Sequence, residues 1–339
     1  MKFKLYLANR DIIVRNSRKN STYYGVCLIL KCDFSKITIL NSTFKPQLNS
    51  LIEMKNLIVT GGNKGIGFAI ANSILKRNLQ YNIILTSRDK NAGMHVLNEL
   101  RENFPDKQSN IDMGILDIKS MNSINDFKSW YTDKYGFADV IINNAGIAPL
   151  NEEPSHKNLQ TSFATNFDGT VQFQQSMLDS VNNDGKIIFI ASTLARKVIV
   201  EMDRAHSKKL LSKDLSLNKL QQLRNTVFSA YMNAESEDPS LLGWPAFSHS
   251  CYGLSKTFLI SYAKVLGRTQ DVLDKNIQVN SICPGYCKTS MTNYKGSRSP
   301  EEGAKDIISL VEKSSLVNES YQGQFFIKTR VKNLEKINF

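Results

Sequence analysis

The chain predicts an α/β fold in which helices cover both faces of one doubly wound parallel sheet, a three-layer αβα arrangement. Three observations carry that expectation. Short unbroken apolar runs such as Leu57-Ile58-Val59 and Val140-Ile141-Ile142 read as strands buried on both faces. Helical patterns alternate with them at the spacing of βαβ units. A glycine-rich turn, Thr60-Gly61-Gly62-Asn63-Lys64-Gly65-Ile66-Gly67, joins the first such strand to the first such helix.

Residues 1–53 read as a basic N-terminal extension outside the fold. They are rich in Asn, Ser and Lys, with one short β-type stretch at 37–40. They carry nine Lys/Arg against three Asp/Glu, half of the chain's net charge of +12. Two readings stand side by side: a disordered extension upstream of a start at Met54, and a targeting segment, which would also be basic, hydroxyl-rich and poor in acids.

The domain is expected over 54–331. Strand 56–60 leads through the glycine turn to a helix over 65–78. Strand 81–86 follows, then a helix over about 90–104 that Pro105 ends, and Asp89 stands where a helix cap belongs. Strand 111–116 leads to Asp117 and a helix over 120–135. Strand 138–142 runs into Asn143-Asn144-Ala145-Gly146. One long helix is expected over 158–181, and strand 186–191 ends at Ser192. Residues 197–245 break the rhythm as a helical insertion, with Leu217, Leu220, Leu223, Val227, Phe228 and Tyr231 on one apolar face. Helix 250–268 and strand 277–282 resume the alternation. Ser299-Pro300-Glu301-Glu302 opens another helix with a proline and acids at its start. Strand 324–327 closes the domain, and 332–339 is a polar tail.

Composition narrows the function. The chain has 339 residues, 41% hydrophobic and 22% charged, an ordinary soluble balance. The longest apolar run near the start, 25–30, is far short of the ~20 residues of a membrane span. No basic helix with interleaved aromatics suggests a nucleic-acid partner. The five cysteines form no paired framework, which predicts a reducing, cytoplasmic setting unless residues 1–53 direct the chain to an organelle. Cys283 and Cys287 match no common zinc spacing and the chain has four His, so no metal site is expected.

The glycine turn leaves backbone N–H groups free at the positive end of a helix, a place suited to a pyrophosphate. Gly61 allows a backbone angle that side chains disfavour, and Gly65 and Gly67 let ligand and strand come close. Tyr252 and Lys256 lie four residues apart, on one face of a helix. A lysine cation beside a tyrosine favours the phenolate and is expected to lower the phenol's pKa. The glycine turn, Asp117, Asn143 to Gly146, Ser192 and Pro284-Gly285 all fall at the carboxyl ends of strands, where ligands bind in a parallel sheet.

These stretches, with Asn166 in Ala164-Thr165-Asn166-Phe167 and Thr289 after Pro284-Gly285, resemble the short-chain dehydrogenase/reductase family. Thr86-Ser87-Arg88-Asp89, Leu116-Asp117-Ile118, Gly243-Trp244-Pro245 and Ser299-Pro300-Glu301-Glu302-Gly303-Ala304 narrow the resemblance to its carbonyl reductases. The resemblance spans about 54–331 and implies a Rossmann-like domain that reduces small-molecule aldehydes, ketones or quinones. It implies that Tyr252 is the general acid, that Lys256 lowers its pKa and holds the nicotinamide ribose, that Ser192 binds the carbonyl, and that Asn166 holds a relay water. Gly61, Asn63, Gly65, Ile66 and Gly67 would hold the pyrophosphate. Asp117 and Ile118 would flank the adenine, Asn144, Ala145 and Gly146 the adenosine ribose, and Pro284, Gly285, Cys287, Lys288 and Thr289 the nicotinamide.

Charge speaks to the cofactor. The second strand ends in Thr86-Ser87-Arg88 where an NAD enzyme usually has an acid, and Lys64 stands in the glycine turn. Two cations near the expected 2′-phosphate favour NADPH. Trp244 and Tyr286 are expected as apolar walls of the substrate pocket, with packing of the insertion onto the core as the other reading of Trp244. In similar proteins the insertion covers the surface through which other members associate, which implies a monomer. A non-catalytic NADPH sensor or scaffold of the same fold is the alternative. An epimerase or dehydratase shares the Tyr–Lys pair, but the T-G-x-x-x-G-x-G spacing and Asn-Asn-Ala-Gly argue against it.

Overall fold

A computed structural model of the chain describes residues 54–149, 155–232, 239–245, 250–313, 322–332 and 334, and the backbone of 3–8 and 11–16. The chain divides into two units, 1–53 and 54–339. In the first, β1 (Phe3–Ala8) and β2 (Asp11–Asn16) form an antiparallel hairpin, with Phe3 opposite Asn16 and Ala8 opposite Asp11. The sequence reading assigned no element there, although Phe3, Leu5 and Leu7 alternate as a strand would. The targeting-segment reading, the stretch at 37–40 and all of the 332–339 tail except 332 and 334 lie outside the described residues.

The second unit is built on an eight-stranded sheet, ordered β10-β9-β8-β7-β6-β3-β4-β5. Its strands are β3 (Lys55–Val59), β4 (Tyr81–Ser87), β5 (Ile111–Ile115), β6 (Ala138–Asn143), β7 (Val181–Ile190), β8 (Gln278–Cys283), β9 (Phe325–Ile327) and β10 (Arg330–Val331). All pairings are parallel except β10 on β9. The order runs outward from β3 on one side and from β6 on the other, so a crevice opens between their carboxyl ends. Both faces are apolar, as the unbroken runs predict. Ile58, Ile84, Ile141 and Ile187 enter one core cluster, and Leu57, Val59, Leu85 and Ile142 the other.

Helices α1 (Gly65–Lys76), α2 (Lys90–Asn103) and α3 (Met121–Tyr135) follow β3, β4 and β5. Asp89 caps α2 by accepting from the Ala92 amide at 3.0 Å, and Ser120 caps α3 through the Ser123 amide. The long helix expected at 158–181 is four pieces. Helix α4 (His156–Phe163) runs into a π-helical turn at Ala164–Gly169, then α5 (Thr170–Met177) and a 3₁₀ turn at 178–180. Strand β7 starts already at Val181. Its first part is hidden in the sequence by Asn182-Asn183-Asp184, where Asp184 has φ of +59° and the register against β6 shifts.

The insertion comprises α6 (Leu194–Glu201), α7 (Arg204–Leu211) and α8 (Leu217–Met232), and all its described elements are helical. Leu220, Leu223, Val227 and Tyr231 of α8 are buried, as their spacing predicts. Helix α9 (Ser250–Leu266) carries Tyr252 and Lys256, and α10 (Gln270–Asp274) precedes β8. Helix α11 (Pro300–Glu312) starts with a reciprocal Ser299–Glu302 capping box.

Candidate active site

The nucleotide end of the site is built from backbone at the ends of β3, β4 and β6. The Thr60 hydroxyl oxygen accepts from the amides of Asn144 and Ala145, each at 2.9 Å. The Asn144 side-chain amide donates to the carbonyls of Thr60 and Gly61 at 2.9 and 3.0 Å. The Gly61 amide donates to the Thr86 hydroxyl at 3.2 Å. Gly61 has φ of +64°, and a β-carbon on Gly67 would lie 2.5 Å from the Gly61 carbonyl oxygen, so the turn admits neither side chain. Lys64 precedes α1 in extended conformation and no side chain caps the helix. The first-turn amides at Gly65, Ile66 and Gly67 therefore stay open, at the positive end of the helix. That is a fit for a dinucleotide phosphate.

Lys64 and Arg88 are exposed and have no ion-pair partner among the described residues. Asn63 is half-buried. The Asp117 carboxylate accepts from the Lys119 amide at 3.0 Å, and Ile118 is buried.

The other end of the site is built from side chains. Lys256 is 3% exposed, and its ammonium donates to the Ile190 carbonyl at 2.7 Å. It lies 5.8 Å from the centre of the Tyr252 ring. Burial pushes Lys256 down to about 8. Burial pushes the Tyr252 phenol up, Cys283 adds in the same direction, and a hydrogen bond with Ser192 pulls the other way. The phenol's net shift is therefore upward, opposite to the lowered value expected from the sequence. In the protein alone, desolvation outweighs the hydrogen bond from Ser192.

Asn166 is fully buried in the π turn. Its amide oxygen accepts from the Ile147 amide at 2.8 Å, and its nitrogen donates to the Ile147 carbonyl at 2.9 Å and the Ser255 hydroxyl at 3.0 Å. Ser255 in turn donates to the Tyr252 carbonyl at 2.7 Å. A β-carbon on Gly146 would lie 3.1 Å from Asn166 Oδ1 and 3.4 Å from Lys256 Nζ. A side chain there would crowd both groups, so glycine lets Asn166 and Lys256 face one another across it.

Ser192, Tyr252 and Lys256 line a cavity of about 540 Å³, within the range of small-molecule sites. Ile66, Asn144 and Gly146 line it from the nucleotide side. Pro284, Gly285, Tyr286, Cys287 and Thr289 line it from the loop after β8. Tyr286 is 51% exposed. Lys288 is exposed, is not part of the lining, and its amide donates to the Arg298 carbonyl at 2.8 Å.

Trp244 is not part of the lining either. It is 2% exposed, with its ring 4.2 Å from that of His206 and 6.4 Å from that of Phe258. Its expected place as a pocket wall is thus corrected: it packs the insertion onto α9. Sequence reasoning missed Ser255, whose serine between Tyr252 and Lys256 was a visible signal. It also missed Leu194, Met291 and Lys295 of the lining, which no motif marks. Among the described residues no group of three or more His, Cys, Asp or Glu is placed to hold a metal ion, and no helix is long and apolar enough to cross a membrane.

A family model described as short chain dehydrogenase matches residues 55–204 and 240–300. Carbonyl reductase (NADPH) 1 of Rattus norvegicus is 28% identical over 252 residues, covering 73% of this chain and 87% of that protein. The (+)-neomenthol dehydrogenase of Capsicum annuum is 26% identical over 315 residues, covering 81% and 96%. The solved structure of salutaridine reductase from Papaver somniferum superposes with a TM-score of 0.68 at 22% identity, covering 80% of this chain and 99% of that one.

Proposed function

The chain belongs to the short-chain dehydrogenase family, and from that premise we propose that it reduces aldehydes, ketones or quinones to alcohols with NADPH. One observation carries this reading. Ser192, Tyr252 and Lys256 meet in a single cavity whose lining also includes Ile66 of the glycine turn.

A bound nicotinamide dinucleotide would supply the hydride. The residues of this chain do the rest. Tyr252, kept protonated by burial, gives its proton to the carbonyl oxygen of the substrate. Ser192 offers a second donor to the same oxygen, where negative charge grows. Lys256, charged at neutral pH, favours release of the phenol proton and holds the ribose hydroxyls. A water held by Asn166 links Lys256 to solvent and returns the proton to the site.

The open amides of Gly65, Ile66 and Gly67, with Gly61 and Asn63, hold the pyrophosphate. Lys64 and Arg88 hold the 2′-phosphate and so select NADPH. Asp117 and Ile118 flank the adenine, and Asn144, Ala145 and Gly146 the adenosine ribose. Pro284, Gly285, Cys287, Lys288 and Thr289 cover the nicotinamide, and Tyr286 walls the substrate. The insertion helices cover α9, which supports action as a monomer on a small-molecule substrate.

The test is a panel of aldehydes, ketones and quinones with NADPH and with NADH, followed by cofactor absorbance. The reading expects NADPH oxidation with at least one carbonyl class and a clear preference over NADH. Tight NADPH binding with no oxidation across the panel would favour a sensor or scaffold instead.

A further inference from the structure

Asn166 occupies the single π-helical turn among the described residues, Ala164–Gly169. Such turns are strained relative to an α-helix and concentrate at functional sites. Ile147 and Ser255 hold the Asn166 side chain. The turn itself is gripped from the other side, by the insertion.

Asp168, two residues after Asn166, faces Arg224 of α8. Its Oδ1 accepts from Arg224 Nε at 2.9 Å and its Oδ2 from Arg224 Nη2 at 2.6 Å. Both side chains are only about a quarter exposed, at 27% and 25%. The guanidinium lies 4.1 Å over the ring of Phe228, one turn further along α8. Phe228 packs edge-on against Phe163 at 5.3 Å, and Phe163 is the residue just before the π turn. One face of α8 thus holds the π turn at both ends, with Asn166 between them.

Stability alone does not require this pair. Leu220, Leu223, Val227 and Tyr231 already bury α8, and a largely buried ion pair often gives way to apolar groups at little cost. What a two-pronged guanidinium–carboxylate contact adds is a fixed direction and distance. We propose that Arg224 is a positioning residue for the reaction: through Asp168 it fixes the π turn that holds Asn166 facing Lys256 across Gly146. This rests on the reading of Asn166 as part of the proton relay. It makes the helical insertion part of the catalytic apparatus as well as a cover for α9.

Three single variants and one double, Arg224→Met with Asp168→Asn, test it. Arg224→Met keeps a long stem over Phe228 and removes the two prongs. Asp168→Asn removes the charge from the opposite side and serves if the first does not fold. Arg224→Lys returns a cation without the fork. Two readouts apply: kinetics on a carbonyl that the wild type reduces, and amide hydrogen exchange read by mass spectrometry over 163–170.

For Arg224→Met and Asp168→Asn, kcat falls about tenfold while KM for NADPH stays within about twofold. Exchange over 164–169 rises about tenfold, and exchange in β3 and α1 is unchanged. The double variant is no worse than either single one. Arg224→Lys recovers kcat to within about threefold of wild type. Unchanged exchange over 164–169 overturns the proposal, as does faster exchange with kcat within about twofold of wild type. A wild type that reduces no carbonyl overturns the functional reading instead, and exchange then decides by itself whether Arg224 holds the turn.

Discussion

Lys64 and Lys256 are both cations of one candidate site, and the protein treats them in opposite ways. Lys64 stands in solvent at the start of α1 and, like the exposed Arg88, has no ion-pair partner among the described residues. Lys256 is 3% exposed, bound to the Ile190 carbonyl and pushed down to about 8. A cation in water attracts a phosphate, but salt screens it and its loss leaves the fold intact. A buried cation costs stability and is felt strongly by every group around it. The first kind of charge suits choice between two similar cofactors. The second suits control of a proton.

The largest effect should come from the buried partner. Lys256→Met is expected to lower kcat by about 10²-fold or more, since the phenol loses the charge that eases its proton away. In the wild type, kcat/KM for NADPH should fall as pH rises past about 8, because the free enzyme then loses the Lys256 cation. The same variant should reveal the cost of burial. Lys256 has an unfolded value of 10.5 and a folded value of about 8. The unfolded chain therefore binds more protons across that window, and wild-type stability should rise with pH through it. Lys186, also pushed down to about 8 by burial, adds to that rise. Urea denaturation of wild type and Lys256→Met separates the two. The variant should gain on the order of 3 kcal/mol at pH 7 and almost nothing at pH 10.5. A gain that grows with pH would contradict the assignment.

The exposed pair should show a smaller and salt-sensitive effect. Arg88→Asp with Lys64→Ser is expected to shift preference from NADPH towards NADH by about 10- to 100-fold at low ionic strength, and by less in high salt. Kinetics with both cofactors at two salt concentrations checks this. A variant that keeps the wild-type preference would refute the charge argument. Smaller still are the two aromatics. Tyr286→Ala should raise KM for the carbonyl about threefold with little change in stability, because its ring is half exposed on the cavity. Trp244→Phe should leave KM alone and cost about 1–3 kcal/mol of stability, because its ring is buried against His206.

The same division governs what could be read from the sequence. The nucleotide end is a backbone device, and glycines at fixed spacing between an apolar run and a helical pattern disclose it. Tyr252 and Lys256 were legible because helical spacing puts them on one face. The π turn was not, since one extra residue per turn leaves no periodic trace, and 158–181 read as one helix. Strand β7 was extended backwards by the pairing of Val181 with Ala138 across a register shift that spans the polar residues 182–185, which hydropathy cannot foresee. Trp244 stayed open between pocket wall and core packing because a tryptophan after a glycine turn looks alike whether it faces a ligand or a core. The Asp168–Arg224 contact joins residues 56 positions apart and carries no local pattern at all.

The most direct measurement is a single-turnover experiment on Tyr252→Phe with NADPH and a carbonyl that the wild type reduces. Removing one hydroxyl leaves the ring, the cavity and the exposed cations in place. Cofactor oxidation should slow by about 10³-fold while the NADPH dissociation constant stays within about twofold. Oxidation at the wild-type rate would contradict the account.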